Sequence, residues 1–87
     1  MPVSALTLPT VHSNGTSRKE LLDGYLAGMG QIQLCIAALG ACAPNGRDYY
    51  VKDNDAIVSA SREHNDRLRR LMAIRDELNT LAESVSK

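Results

Sequence analysis

Eighty-seven residues make one small domain or one subunit of a larger assembly. Ten basic and ten acidic residues cancel, which argues against a generic nucleic-acid or membrane binder. A single core in so short a chain is marginal, and disulfides, a metal or oligomerisation are the usual supplements.

The composition bears on each supplement. The soft ligands are His12, Cys35, Cys42 and His64, with no tight Cys/His spacing, so no metal is expected. Cys35 and Cys42 fall on one helix face roughly 10 Å apart, too far for a disulfide to each other. They read best as small apolar helix residues in a reducing compartment. A homo-oligomer is the expected remedy. The chain has no apolar run of about eighteen residues and no basic, apolar leader. A cytoplasmic protein without a membrane partner follows as the expectation.

In chain order, residues 1–16 read as an extended N-terminal arm. Pro2 and Pro9 forbid a helix interior, Val3, Ala5 and Thr7 alternate weakly with Leu6 and Leu8, and Asn14-Gly15 marks a turn. The arm fits an edge strand or a segment wrapping a neighbouring subunit, with disorder as the competitor. Residues 17–87 read as one helical hairpin domain. Ser17-Arg18-Lys19-Glu20 has the form of a capping box. Leu22, Tyr25, Met29, Ile32, Ile36, Leu39 and Ala43 follow at steps of three and four, a heptad-like seam. Pro44 and Gly46 end the helix. Beside the seam runs a small-residue stripe: Gly24, Gly28, Gln31, Cys35, Ala38 and Cys42. Each helical glycine costs about 1 kcal/mol relative to alanine. A helix with two apolar faces implies either a second partner or close packing within the monomer.

The second helix is expected to start near Asp53, Asn54 or Asp55, all good caps, and to run to Ser84. Its expected seam is Ile57, Ala60, His64, Arg67, Leu71, Ile74, Leu78, Leu81 and Val85, broadened by Leu68 and Met72. His64 and Arg67 stand where the pattern calls for apolar residues, opposite Met29, Ile32 and Gln33. They fit either a structural bond that fixes register or a polar pocket shared with Gln31 or Gln33. The fold class is therefore all-α: an antiparallel helical hairpin with an extended arm, assembling into a homo-oligomer.

Two regions carry chemistry suited to a ligand. Pro44-Asn45-Gly46-Arg47-Asp48-Tyr49-Tyr50 joins the helices. Arg47 offers five donors in a planar fork, and Tyr49 and Tyr50 offer flat faces. Residues 62–75 hold Arg62, Arg67, Arg69, Arg70 and Arg75 against Glu63 and Asp66. This local positive excess suits an anion, or else a solvated face with pairs such as Glu63–Arg67 and Asp66–Arg70. The tyrosines serve equally as a cover for the end of the hairpin. No nucleophile elbow, phosphate-binding glycine loop or metal motif occurs. No enzyme activity and no cofactor are expected.

Asn14-Gly15-Thr16-Ser17 before a leucine-rich helix, the Asn45-to-Tyr50 turn and the basic helix around Arg62 resemble the Thoeris anti-defence sponge proteins of phages. The resemblance covers about two-thirds of the chain. It implies a homo-oligomer of paired long helices that sequesters, without hydrolysis, a cyclic ADP-ribose-like molecule or another cyclic nucleotide immune signal. Asn45 is carried over as a base or ribose contact and Arg62 as a phosphate contact. Members of that family also carry an N-terminal sheet, for which sixteen residues are too few within one subunit. The residues themselves place Arg47, Tyr49 and Tyr50 beside these as ligand-binding candidates. The rival expectation is a small helical protein-interaction module, such as a phage inhibitor of a host complex.

Overall fold

The computed structural model describes residues 6–51, 53 and 55–86. It is all-helical, with no strand among the described residues. Helix α1 spans Arg18–Ala41 and helix α2 spans Ala56–Val85, joined by a loop that contains one 3-10 turn, Gly46–Asp48. The helices pack against each other as an antiparallel hairpin, in an elongated body of 62 × 23 × 17 Å. Residues 6–17 of the arm form no regular element. His12 to Gly15 closes a turn, with Gly15 N donating to the His12 carbonyl at 3.1 Å. A Cβ on Gly15 would stand 2.8 Å from the exposed His12 ring, which would have to swing aside.

Ser17 caps α1 as its type predicts. Its Oγ accepts from Glu20 N at 3.1 Å and donates to Glu20 Oε1 at 3.0 Å. The glutamate thus answers the serine hydroxyl instead of its backbone donor. Lys19 and Asp23 add an exposed i,i+4 pair at 2.6 Å, and the Asp23 carboxylate raises the Lys19 pKa. At the other end α1 stops at Ala41, before Pro44, so Cys42 is its C-cap and Ala43 lies outside the helix. Helix α2 starts at Ala56 with Asp55 at the N-cap position, where its side chain makes no capping bond. The ordering carboxylate belongs to Asp53, whose Oδ1 accepts from Asp55 N at 3.0 Å. Asn54 lies outside the described residues.

The seam of α1 is the expected one from Leu22 to Leu39, all half-buried. That of α2 departs from the expected set at two positions. Ile57, Ala60, His64, Leu71, Leu78, Leu81 and Val85 are covered as expected. Between them the structure covers Leu68, Arg75 and Ala82, and leaves Arg67 and Ile74 exposed. Ala60 and Ser61 are both covered. A guanidinium in the Arg67 position would have to leave water unpaired, whereas Leu68 buries apolar surface. Arg75 lies with its stem along the seam and donates to Gln33 Oε1 at 2.9 Å.

The register also differs from expectation. His64 faces Leu39, not the middle of α1, and Arg75 takes the place opposite Gln33. Gly28 faces Leu78, whose Cδ1 would lie 3.2 Å from an added Cβ. In an antiparallel hairpin, residues near the loop on one helix must meet residues near the loop on the other. His64 is only nine positions into α2 and so belongs near the end of α1. The tightest packing is at the far end of α2, where Ala82 and Val85 are buried. Leu68→Ala is expected to cost about 1–3 kcal/mol for a half-buried leucine, and Arg67→Ala less than about 0.5 kcal/mol. Urea unfolding of both variants checks the seam.

Candidate functional site

The loop holds four of the five expected site residues. Asn45 is the N-cap of the 3-10 turn. Its Oδ1 accepts from Arg47 N at 3.0 Å, and its Nδ2 donates to Asp48 Oδ2 at 3.2 Å. Both ends of this side chain serve the turn itself. The turn closes with Asp48 N on the Asn45 carbonyl and Tyr49 N on the Gly46 carbonyl. Gly46 has no positive φ, so the Asn-Gly pair works here through the asparagine side chain and not through glycine's conformational freedom. Arg47 and Asp48 are exposed, Tyr49 is half-buried, and Tyr50 stands 79% exposed. Lys52 is outside the described residues.

Arg62 belongs to a different surface, on α2. It lines two adjoining open grooves of about 450 and 430 Å³. The first is lined by Ile57, Val58, Ser61, Arg62, Asn65 and Arg69. The second adds Glu63, Asp66, Arg67 and Arg70 around the same Arg62 and Arg69. Arg62 and Arg69 are seven residues apart, so they share a face about 10 Å apart along the axis. Asp66 sits between them. It pairs with Arg70 at 3.1 Å and reaches Arg69 at 3.9 Å. The Asp66–Arg70 pair is thus present as expected. Among the described residues Glu63–Arg67 is not formed, and Arg62 makes no ion pair. The face retains more cationic than anionic groups. No loop residue lines either groove, and no hydrogen bond joins Arg62 to Asn45, Arg47, Tyr49 or Tyr50 among the described residues.

His64 resolves as a structural group. It is buried at 5% exposure, and its Nε2 lies 2.8 Å from the Leu39 carbonyl oxygen. A carbonyl can only accept, so Nε2 carries the proton. Leu39 is in the last turn of α1, which has no basic residue of its own. There the carbonyls lack the usual helical partner. The Leu39 oxygen also accepts from Cys42 N at 3.1 Å and from Cys42 Sγ at 3.4 Å.

Cys35 and Cys42 are free thiols, as their spacing predicts, but both are exposed. Only one helix covers α1, and both cysteines lie off its seam. Cys35 edges a third open groove of about 510 Å³, with Leu39, Leu71 and Ile74 flanked by Arg67 and Arg70. Among the described residues no cluster of three or more metal-ligating side chains occurs. Helix α1 is also long and apolar enough to cross a bilayer by length and composition, which the count of consecutive apolar residues misses because glycines and glutamines interrupt it. In the hairpin that helix lies along α2.

Compared with known proteins, the chain matches no family model, no curated protein and no solved structure. The geometry is therefore the ground for a functional reading. Removing the His64–Leu39 bond in His64→Ala is expected to destabilise the fold by about 1–3 kcal/mol, read by denaturant unfolding. Arg62→Ala on the exposed face is expected to change stability by less than about 0.5 kcal/mol.

Proposed function

We propose that this chain is a non-enzymatic binder of a phosphate-bearing small molecule, acting as a homo-oligomer that sequesters a cyclic nucleotide immune signal in the manner of a phage anti-defence protein. The observation that carries this reading is the pair of adjoining grooves on α2 that share Arg62 and Arg69. Guanidinium groups bind phosphate oxygens through two parallel hydrogen bonds. The grooves are open and hold no paired acid and base aimed at a common point, which favours holding a ligand over transforming it. Tyr50, exposed at the end of the hairpin, offers a stacking face for a base. Within one chain the loop and the α2 grooves remain separate. A composite pocket with Arg62 on one subunit and Asn45, Arg47, Tyr49 and Tyr50 on another would need the oligomer.

The second reading, a helical protein-interaction module, draws on another observation. Leu26 and Leu34 on α1 are 50% and 65% exposed, an apolar surface that a protein partner would cover.

Calorimetry of the purified protein against a panel of cyclic mononucleotides, cyclic dinucleotides and cyclic ADP-ribose isomers separates the two. The sponge reading expects saturable binding and recovery of the ligand chemically intact. It further expects weakening by added salt and at least a roughly tenfold loss in Arg62→Ala, the cost of one charge-assisted contact of about 1.5–3 kcal/mol. Absence of binding across the panel removes it, and recovery of an altered nucleotide would replace it with an enzyme.

A further inference from the structure

The surface of α1 turned away from α2 carries no charged residue from Gly24 to Ala41. The half-buried seam runs through residues 22, 25, 29, 32, 36 and 39. Two positions further round at each step lie Gly24, Ala27, Gln31, Leu34, Ala38 and Ala41, diametrically opposite at 100° per residue. All six are exposed, none is charged, and Leu34 is the most exposed leucine of the helix at 65%. A helix that is apolar all round is a helix meant to be covered on more than one side.

Three further observations say what covers it. First, the chain exposes 6389 Å², where a compact monomer of this mass exposes about 5,000 Å². The surplus is about 1,400 Å². Obligate dimers bury on the order of 1,000–2,500 Å² per subunit. Second, an added Cβ on Gly24 meets nothing within 4 Å, and Gly24 has no positive φ; Gly30 and Gly40 on neighbouring faces are equally open, so the face leaves room for close approach of another helix. Third, the six positions step by three and four, as any heptad stripe does and as the seam toward α2 also does, and none of them is charged, so an antiparallel copy meets no like charge. Turned end to end, the stripe overlays itself. Gly24 then faces Ala41 of a second copy, Ala27 faces Ala38, and Gln31 faces Leu34. This is the self-complementarity that a two-fold interface requires.

We propose that two copies of this chain associate through an antiparallel α1–α1 contact centred between Gln31 and Leu34, so that the four helices form one layered bundle with both α1 helices inside. Small residues at both ends of the stripe allow the helices to approach closely. The two Gln31 amides, one from each copy, flank the two-fold axis and are the polar groups that fix the register. The α2 helices, with their arginine grooves, remain on the outside. A bilayer is the poorer occupant: α1 is tied to α2 through Leu39–His64 and Gln33–Arg75, and α2 is too charged to follow it. The proposal rests on the homo-oligomer in the reading above and not on its ligand.

Light scattering of the full chain without nucleotide is expected to give twice the chain mass of 9.4 kDa, or a multiple of that dimer. Leu34→Glu is expected to halve the mass with helical circular dichroism unchanged, and Leu34→Met to leave it as it was. A second measurement covers the case in which Leu34→Glu loses its helices. In a Cys35→Ser, Cys42→Ser background, Ala27→Cys with Ala38→Cys is expected to give a covalent dimer on oxidation. Either cysteine alone is expected to give none, because copies of one position lie roughly 16 Å apart along the axis. A wild-type monomer overturns the proposal, as does an assembly that a folded Leu34→Glu leaves intact, or cross-linking by the single cysteines. A monomer that floats with vesicles of phosphatidylcholine and phosphatidylglycerol makes the bilayer the occupant and overturns it too. A dimer that binds no cyclic nucleotide removes the ligand reading and keeps this interface. A monomer that binds one does the reverse.

Discussion

Much of this protein follows from one imbalance: α1 carries no charge from Gly24 to Ala41 and has one helix to lie against. A two-helix hairpin can cover a single stripe on each member. Accordingly no residue of α1 is buried, and no side chain in the described chain is fully enclosed. The four buried residues, Ala60, His64, Ala82 and Val85, all belong to α2. They lie inside because α2 presents one clear face and turns its charges to solvent. Arginine-lined grooves are on α2, and exposed apolar side chains are on both helices: Leu26 and Leu34 on α1, Val58, Met72 and Ile74 on α2.

The sequence discloses some of this and leaves other parts undetermined, for reasons visible at individual residues. Ser17 and Glu20 announce the start of α1 because capping is a local interaction among four consecutive residues. The seam of α1 is equally legible, since large residues fall at steps of three and four with small ones between. In α2 two seams are written over each other. They share Ile57, Ala60, His64, Leu71, Leu78, Leu81 and Val85 and differ at Arg67 against Leu68 and at Ile74 against Arg75. Ile74 favours one and Leu68 the other, so periodicity alone does not choose. Packing does, through the cost of drying Arg67 and the ability of Arg75 to reach Gln33. The loop is a different case. Its residue types suggest a ligand contact, yet Asn45 spends both side-chain ends on the 3-10 turn, a use that no residue count reveals. The exposed cysteines were obscured because sequence shows helical spacing but not how much of the circumference a partner covers.

Arg62 and the loop are separated by the rise of the helix. Arg62 is seven residues into α2, about 9 Å along the axis from its first residue, and its first groove runs from Ile57 and Val58 in the first turn to Arg69. The loop residues stop short of it: none of Asn45, Arg47, Tyr49 and Tyr50 lines either groove.

Polar contacts then perform what apolar ones cannot. A heptad seam is nearly indifferent to slipping by seven residues, because leucine meets leucine again. His64 is not indifferent. Its Nε2 donates to the Leu39 carbonyl in the last turn of α1, an oxygen that also accepts from Cys42 N and Sγ, and a slip of one heptad would break that bond. Arg75 and Gln33 add a second bond further along the hairpin. These two hydrogen bonds of modest individual strength favour the observed register. They also fix which face of α1 is spent inside the hairpin and which is left over.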